Sequence, residues 1–376
     1  MALPAWPDMK RILFLLLAAT AWFALAETST MAETNQSAAA RWLAKADLAS
    51  PFQIPANRRL WENSRREVRA QLWQLLGKLP PRPRVPAVRT LSREDKGDYI
   101  VEKFEFDNFA GSTVPGYLLL PKNAAGKSPA ILYCHWHGGQ YDIGKEELFR
   151  TNAVPVPAGP ALVKQGYVVI AIDAYCFGER NGAGPGGPTE KGSAGEMTAS
   201  KFNLWAGRSL WGMIVRDDLM ALDYLCSRPE VDAARVGVTG ISMGATRTWW
   251  AMALDERLKA GVAVCCLTRY QNLIATEGLK YHGIYYFVPG LLNYFDTEAV
   301  VALAAPRPLL FQSGETDAGS PVEGIRTIEA TVRKAYKLYD QEEDLQSIIY
   351  PGVGHVYLPE MWDRTLAWFD EKLKKN

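Results

Sequence analysis

Six nearly uninterrupted runs of apolar residues constrain the fold of this chain more than any other feature of its sequence. The runs do not alternate between apolar and polar residues, so both faces of each predicted strand should be buried. Strands of this kind belong to a parallel sheet that helices cover on both sides. The runs lie at Ala130–His135, Tyr167–Asp173, Arg235–Thr239, Leu258–Leu267, Pro308–Ser313 and Gln346–Tyr350.

The segments between these runs are long enough to hold crossover helices. Apolar residues at helical spacing predict helices at Trp211–Cys226, Val322–Tyr339 and Pro359–Lys374. Two earlier segments, Tyr99–Phe106 and Thr113–Leu120, alternate and predict an antiparallel pair that opens the sheet. An antiparallel start followed by a βα series predicts one α/β domain with a mostly parallel central sheet flanked by helices.

The N-terminus carries the pattern of an export signal. Lys10 and Arg11 precede an apolar run that ends in Ala24-Leu25-Ala26, a small-x-small cleavage site. This pattern predicts a signal peptide over residues 1–26, with an uncleaved membrane anchor as the alternative. We therefore expect an exported protein, periplasmic or extracellular, that is not held in the membrane after cleavage.

Three segments are expected after the signal peptide. Residues 27–40 are rich in Ala, Ser and Thr and are predicted to be a disordered linker. Residues 41–85 carry apolar side chains at helical spacing before a proline cluster, which predicts a helical N-terminal extension. Residues 86–376 then form the α/β domain. The extension is expected to pack on that domain, or to serve as a contact in a homo-oligomer.

Ser242 stands in a sequence that is typical of a nucleophile elbow. The predicted strand is followed at once by Gly240-Ile241-Ser242-Met243-Gly244, and a helix-favouring segment begins at Ala245. Such a turn exposes the serine hydroxyl above the sheet in a strained backbone conformation. The alternative is a tight turn in which the serine has no catalytic role.

An acid and a base follow this serine in the order that covalent acyl transfer requires. Asp317 and His355 lie in glycine-containing loops after the last two predicted strands. Because active sites of open α/β sheets lie beyond the carboxyl ends of the strands, we expect both residues near Ser242. His355 would act as the base and Asp317 would orient it. Glu315 is the alternative acid, and a solvated loop histidine is the alternative interpretation of His355.

The donors for a developing oxyanion are predicted to be two backbone amides. The amide of Met243 directly follows the nucleophile, and Gly139 lies in the loop after the first parallel strand. One such donor typically lowers a reaction barrier by ~3 kcal/mol. His135 and His137 in the same loop form a His-x-His pair, but zinc would require a third ligand. We therefore expect neither a metal nor another cofactor.

The predicted substrate-binding residues are Trp136, His137 and Tyr285. Trp136 and Tyr285 belong to a larger set of eight aromatic residues around the predicted site, for at least half of which core packing is an equally good explanation. The Gly-, Pro- and Ser-rich block 181–200 is either a mobile flap over the site or a plain surface loop. The other aromatic residues of the set are Trp205, Tyr281, Tyr286, Phe287, Tyr294 and Phe295.

Charge and cysteine content exclude several classes of protein. A formal net charge of +1 gives no reason to expect nucleic acid as a partner. The five cysteines are an odd number without regular spacing, which argues against a disulfide framework. Buried free thiols are expected, with one bridge that involves Cys176 or Cys226 as the alternative.

At these residues the sequence resembles the α/β-hydrolase superfamily, and within it the secreted relatives of the dienelactone-hydrolase and acetyl-xylan-esterase groups. The resemblance implies the α/β-hydrolase fold and hydrolysis of carboxylic esters, such as small-molecule or carbohydrate esters, by Ser242, Asp317 and His355. Dienelactone hydrolases proper use a cysteine where this chain has Ser242. A serine exopeptidase and a non-catalytic binding protein are the alternatives. The matching stretches are His135–Gly139, Asp173–Arg180, Arg216–Asp232, Gly240–Gly244, Ala305–Pro308, Gly314–Pro321 and Gly352–His355.

Overall fold

The computed structural model describes residues 37–49, 51–122 and 124–374. The predicted signal peptide lies outside these residues, as does most of the predicted linker. A search of the described helices finds none with the length and apolar character that a membrane span requires.

A nine-stranded sheet forms the centre of the molecule, in the order β1-β2-β3-β5-β4-β6-β7-β8-β9. The pairs from β1 to β3, and β3 with β5, are antiparallel, whereas every pair from β5 to β9 is parallel. The predicted antiparallel start and parallel continuation are therefore confirmed. The strands are β1 Val88–Asp95, β2 Tyr99–Asp107, β3 Thr113–Pro121, β4 Ser128–Cys134, β5 Val168–Ile172, β6 Val231–Ile241, β7 Leu258–Val264, β8 Leu309–Gly314 and β9 Leu345–Tyr350.

Helices cover both faces of this sheet. Helices α2, α5, α6, α8 and α9 contribute to the hydrophobic cluster on one face, and α3 and α10 to the cluster on the other. The described residues form α1 Ala38–Lys45, α2 Arg58–Leu76, α3 Ala158–Lys164, α4 Gly192–Trp205, α5 Leu210–Ser227, α6 Met243–Leu254, α7 Tyr270–Ala275, α8 Thr297–Ala302, α9 Val322–Lys337 and α10 Pro359–Phe369.

Helix α5 shows how charged residues are accommodated in this core. The helix is buried along almost its whole length, so its carboxylates require partners. Asp218 accepts from Nε of Arg247 on α6 at 2.9 Å, and both side chains are fully buried. Asp217 accepts from Nη1 of Arg180 at 2.9 Å. These pairs fix α5 against α6 and against the segment that follows β5.

The N-terminal extension is helical, as predicted, but it is divided into two helices. Helix α1 begins at Ala38, where Ser37 caps it by accepting from the amide of Ala40 at 3.1 Å. The prediction of disorder up to residue 40 is therefore wrong for its last residues, because this cap starts a helix there. Helix α2 buries Trp61 and Leu72 against the main core.

Strand β1 was not predicted, and its sequence explains why. None of the eight residues of Val88–Asp95 is buried, and seven of them are polar or exposed. The strand therefore has no alternation of apolar and polar residues. Strand β1 is the first strand in the sheet order, and among the described residues it pairs with β2 alone. A strand without a buried face leaves no periodic apolar signal in the sequence.

Candidate active site

Ser242 occupies a left-handed turn between β6 and α6. Its backbone lies at φ 60° and ψ −119°, a region that residues other than glycine rarely adopt. Gly240 and Gly244 flank it against the carbonyl oxygen of Cys134 on β4, so close that a Cβ at either position would collide with this oxygen. The sequence thus needs glycine at both positions to bring the turn down onto the neighbouring strand.

Asp317 and His355 form a hydrogen-bonded pair beyond β8 and β9. Nδ1 of His355 lies 2.7 Å from Oδ2 of Asp317. The other carboxylate oxygen accepts from the amide of Gly319 at 2.9 Å, which fixes the acid in its turn. Since the acid accepts the Nδ1 proton, Nε2 of His355 is left as the acceptor that a general base needs.

The alternative acid, Glu315, has a different partner. Its side chain is exposed, and Oε2 accepts from the amide of Gly352 at 2.8 Å. This bond ties the loop after β8 to the loop that carries His355. The geometry therefore favours Asp317 as the residue that orients the histidine.

One cavity of about 550 Å³ brings the three predicted residues together. Ser242, Asp317 and His355 reach it from the ends of β6, β8 and β9, as the rule for open α/β sheets requires. The remaining lining residues are His137, Gly138, Gly139, Cys266, Lys280, Tyr281, His282, Gly283, Tyr285, Thr316, Ala318 and Gly319.

The two predicted oxyanion donors differ in their availability. Met243 is the first residue of α6, where backbone amides have no acceptor within the helix. Gly139 lines the cavity, but its amide donates to Nδ1 of His137 at 3.1 Å. The prediction for Gly139 therefore requires that this hydrogen bond opens when a substrate binds.

His137 is part of the cavity wall and is held there by Glu196. Because Nδ1 accepts from the Gly139 amide, Nε2 carries the proton and donates to Oε2 of Glu196 at 2.9 Å. The ring of His137 stacks on Tyr285, with 4.9 Å between ring centroids. Glu196 also accepts from the hydroxyl of Tyr141 at 3.0 Å. This carboxylate therefore joins several parts of the wall.

Sequence reasoning missed Glu196. It lies on α4, which begins at Gly192, inside the block 181–200 that was predicted to be a flap or a loop. The second half of that block is therefore helical and supports the wall from behind. A single glutamate among Gly, Ser and Ala residues carries no signal that distinguishes it from a solvent-exposed one.

The two histidines of the His-x-His pair have no free nitrogen for a metal. His135 donates from Nδ1 to the carbonyl of Trp136 at 2.7 Å and accepts at Nε2 from the amide of Ala174 at 3.1 Å. Burial holds the pKa of His135 well below its ordinary value, so the ring is neutral. Both nitrogens of His137 are used in hydrogen bonds as well.

The predicted substrate contact of Trp136 is wrong. Its side chain packs against the apolar cluster on the far face of the sheet and does not line the cavity. The amide of Trp136 donates to Glu147 at 2.9 Å, and its ring packs against Gly138. Of the eight aromatic residues that were expected around the site, Tyr281 and Tyr285 line the cavity. Trp205 instead lies 95% exposed at the end of α4.

Cys265 and Cys266 follow β7 in consecutive left-handed conformations, with φ values of 59° and 55°. The predicted strand extended to Leu267, but β7 ends at Val264 because the backbone reverses there. Each such residue costs roughly 1 kcal/mol relative to an ordinary conformation. Cys266 lines the cavity with Ser242, and burial raises the pKa of its thiol to about 12.

All five cysteines are free thiols, four of them buried, which confirms the prediction from their number and spacing. Cys176 and Cys226, the candidates for a bridge, are among them. Their pKa values are raised by burial, to about 12 and about 11. In the absence of an activating base they are poor nucleophiles at neutral pH.

Two features of the structure define an α/β-hydrolase. A serine lies on a left-handed turn between a strand of the parallel part of the sheet and a helix, and a hydrogen-bonded Asp–His pair follows the last two strands. The chain belongs to the Abhydrolase family, whose sequence model matches residues 40–353. It is therefore a hydrolytic enzyme, and the predicted resemblance and fold class are confirmed.

Three similar proteins illustrate this membership. The Bacillus subtilis protein YtaP, named as a hydrolase, is 39% identical over 274 residues, which cover 72% of this chain and 88% of YtaP. A Yersinia pestis protein named as a carboxymethylenebutenolidase is 24% identical over 69% of this chain and 85% of its own length. The structure of a Bacteroides fragilis protein assigned as an acetyl xylan esterase has a TM-score of 0.66 at 22% identity, covering 88% of this chain and 87% of that one.

Proposed function

We propose that the protein is an exported serine carboxylesterase that works through an acyl-enzyme. The observation that carries the proposal is the 2.7 Å bond between Asp317 and His355 at a cavity that Ser242 also lines. The left-handed backbone of Ser242 supports it, because strain of this kind concentrates at functional residues. The apolar run that ends at Ala26 supports export.

In this mechanism Ser242 Oγ attacks the ester carbonyl while Nε2 of His355 takes the hydroxyl proton. The negative charge on the carbonyl oxygen is stabilised by the amide of Met243, at the start of α6. When the tetrahedral intermediate collapses, His355 returns the proton to the leaving alcohol, and the acyl group stays on Ser242. Water then attacks the acyl-enzyme with His355 again as the base, which releases the carboxylic acid.

The proposed substrates are esters of small acids with carbohydrate or aryl alcohols. Tyr281 and Tyr285 provide aromatic surface in the cavity, and ring faces of this kind suit sugars and aryl groups alike. The assignment of the similar Bacteroides fragilis protein as an acetyl xylan esterase agrees with acetylated carbohydrates. The presence of Ser242, where dienelactone hydrolases have a cysteine, favours the serine-esterase side of this resemblance.

The test is hydrolysis of p-nitrophenyl acetate by the protein from Glu27 onward, compared with the Ser242→Ala variant. Loss of the nucleophile should lower kcat by ~10⁴ or more. Ser227→Ala, at the far end of α5, serves as a matched serine control that should keep its activity. Equal activity in the wild type and Ser242→Ala would refute the proposal.

Two further measurements distinguish the proposed esterase from an exopeptidase and from a binding protein. An acyl anilide that is cleaved faster than the matching aryl ester would favour a peptidase. A fluorophosphonate that fails to label Ser242 in the folded protein would indicate a binding role. Labelling of Ser242 together with preferential cleavage of the ester agrees with the proposal.

A further inference from the structure

The thiol of Cys265 lies beside the Asp317–His355 pair and has no part in the proposed reaction. One ligand atom from each of the three side chains lies within 4.8 Å of the others. Sγ of Cys265 also contacts the carbonyl of Val356 at 3.7 Å and the backbone of Gly314. The left-handed backbone of Cys265 contributes to this placement at an energetic cost, and strain of this kind is a reason to look for function.

A thiolate, an imidazole and a carboxylate are the ligand types that Zn²⁺ takes in proteins. With metal–ligand bonds of roughly 2.0–2.3 Å, neighbouring ligand atoms in a tetrahedral site are about 3.6 Å apart. The three atoms would therefore need to move by about 1 Å, a shift to which the His355 side chain, 35% exposed, can contribute most. Three protein ligands leave a fourth position for water from the cavity.

We propose that Cys265, Asp317 and His355 bind a thiophilic divalent cation of the Zn²⁺ type, and that its binding switches catalysis off reversibly. On binding, the thiol of Cys265 loses its proton to solvent and its sulfur bonds to the cation. His355 gives a ring nitrogen to the cation and leaves its bond with Asp317, so it no longer serves as an oriented base. The inhibitory part of this proposal rests on the proposed esterase function, whereas the binding part does not.

Binding is tested first without reference to activity, by titrating the purified protein with Co²⁺. A cysteine ligand produces a thiolate-to-Co²⁺ charge-transfer band in the near ultraviolet, which should appear in the wild type and in Ser242→Ala. It should be absent from Cys265→Ser and Cys265→Ala, and should persist in Cys226→Ser, a matched control whose thiol is not part of the Cys265–Asp317–His355 group. A band that is missing from the wild type, or that persists in both Cys265 variants, would overturn the proposal.

Inhibition is then measured as the Zn²⁺ concentration that halves p-nitrophenyl acetate hydrolysis. This concentration should rise at least about tenfold in Cys265→Ser, because a ligand contributes no less to metal affinity than the groups that orient it. Mg²⁺ should have no effect, since it prefers oxygen ligands, and a chelator should restore full activity. Basal hydrolysis by Cys265→Ser close to that of the wild type shows that the variant is folded.

The two proposals fail separately. A Cys265-dependent Co²⁺ band in a protein without esterase activity would refute the proposed function and leave the metal site standing. Ester hydrolysis with equal Zn²⁺ sensitivity in the wild type and Cys265→Ser would refute the metal site alone. Stimulation of hydrolysis by Zn²⁺ would also overturn the proposed inhibition.

Discussion

Replacing Asp317 with asparagine should reverse the proton arrangement of His355, the proposed base, without disturbing the fold. The Gly319 amide donates to Oδ1 of Asp317, so an asparagine must place its oxygen there and its NH₂ group towards His355. An NH₂ group facing Nδ1 forces the ring proton onto Nε2. His355 would then present a donor to Ser242 and could not accept the hydroxyl proton.

The expected loss in kcat is ~10⁴, the size seen when this tautomer is reversed in other Ser-His-Asp enzymes. It corresponds to about 5.5 kcal/mol of transition-state stabilisation. Initial rates with p-nitrophenyl acetate measure it, and thermal unfolding should show a nearly unchanged Tm. Glu315→Gln is the matched control, because its partner is the Gly352 amide and not the histidine. A loss below tenfold in Asp317→Asn, or an equal loss in Glu315→Gln, would refute the assignment.

Three further predictions concern the support of the site and the buried charges. Glu196→Gln should lower kcat/KM about tenfold in the same assay, because the carboxylate accepts from His137 at Oε2 and from the Tyr285 amide at Oε1, whereas a glutamine has one acceptor oxygen and turns its NH₂ group towards one of these donors; unchanged kinetics would contradict this. Arg247→Met should lower the free energy of unfolding in urea by ~3–5 kcal/mol, because Asp218 keeps a buried charge without its partner, and the double variant with Asp218→Asn should recover much of the loss. Burial raises the pKa of Glu147 from its ordinary 4.5 to about 7, so the folded protein binds this proton more tightly than the unfolded chain. The resulting stability is fully present below pH 4.5 and is lost as the pH rises to about 7, a fall on the order of 3 kcal/mol that Glu147→Gln should abolish in pH-dependent urea titrations.

The position of the candidate site could be predicted because the fold places it at the strand ends. A parallel strand that is buried on both faces can be recognised in the sequence as an apolar run. The residues that follow the run then lie at the carboxyl edge of the sheet. Ser242 and Asp317 were found in this way. His355 follows β9, and the prediction that both faces of this strand are buried is wrong, because β9 is an edge strand that is mostly half-buried. All three residues line one cavity. The edge strand β1 has no buried face and gave no such signal.

The walls of the cavity could not be predicted in the same way. Trp136 and Tyr285 are both aromatic and both near the predicted site, yet the first packs on the core and the second lines the cavity. Glu196 acts from a helix whose sequence resembles a loop. Their roles depend on which segments meet in three dimensions, and neither periodicity nor local propensity carries that information.

The two sides of the cavity should differ in how many substitutions they tolerate. On one side, the serine turn is in close contact with the carbonyl of Cys134. Gly240 and Gly244 leave no room for any side chain, so a mutant library that varies them should contain almost only inactive members. The opposite wall, residues 278–286, consists largely of short 3₁₀ turns joined by partly exposed residues. Selection for new substrates should therefore accumulate its substitutions in that wall, while the contact with Cys134 stays unchanged across all the descendants.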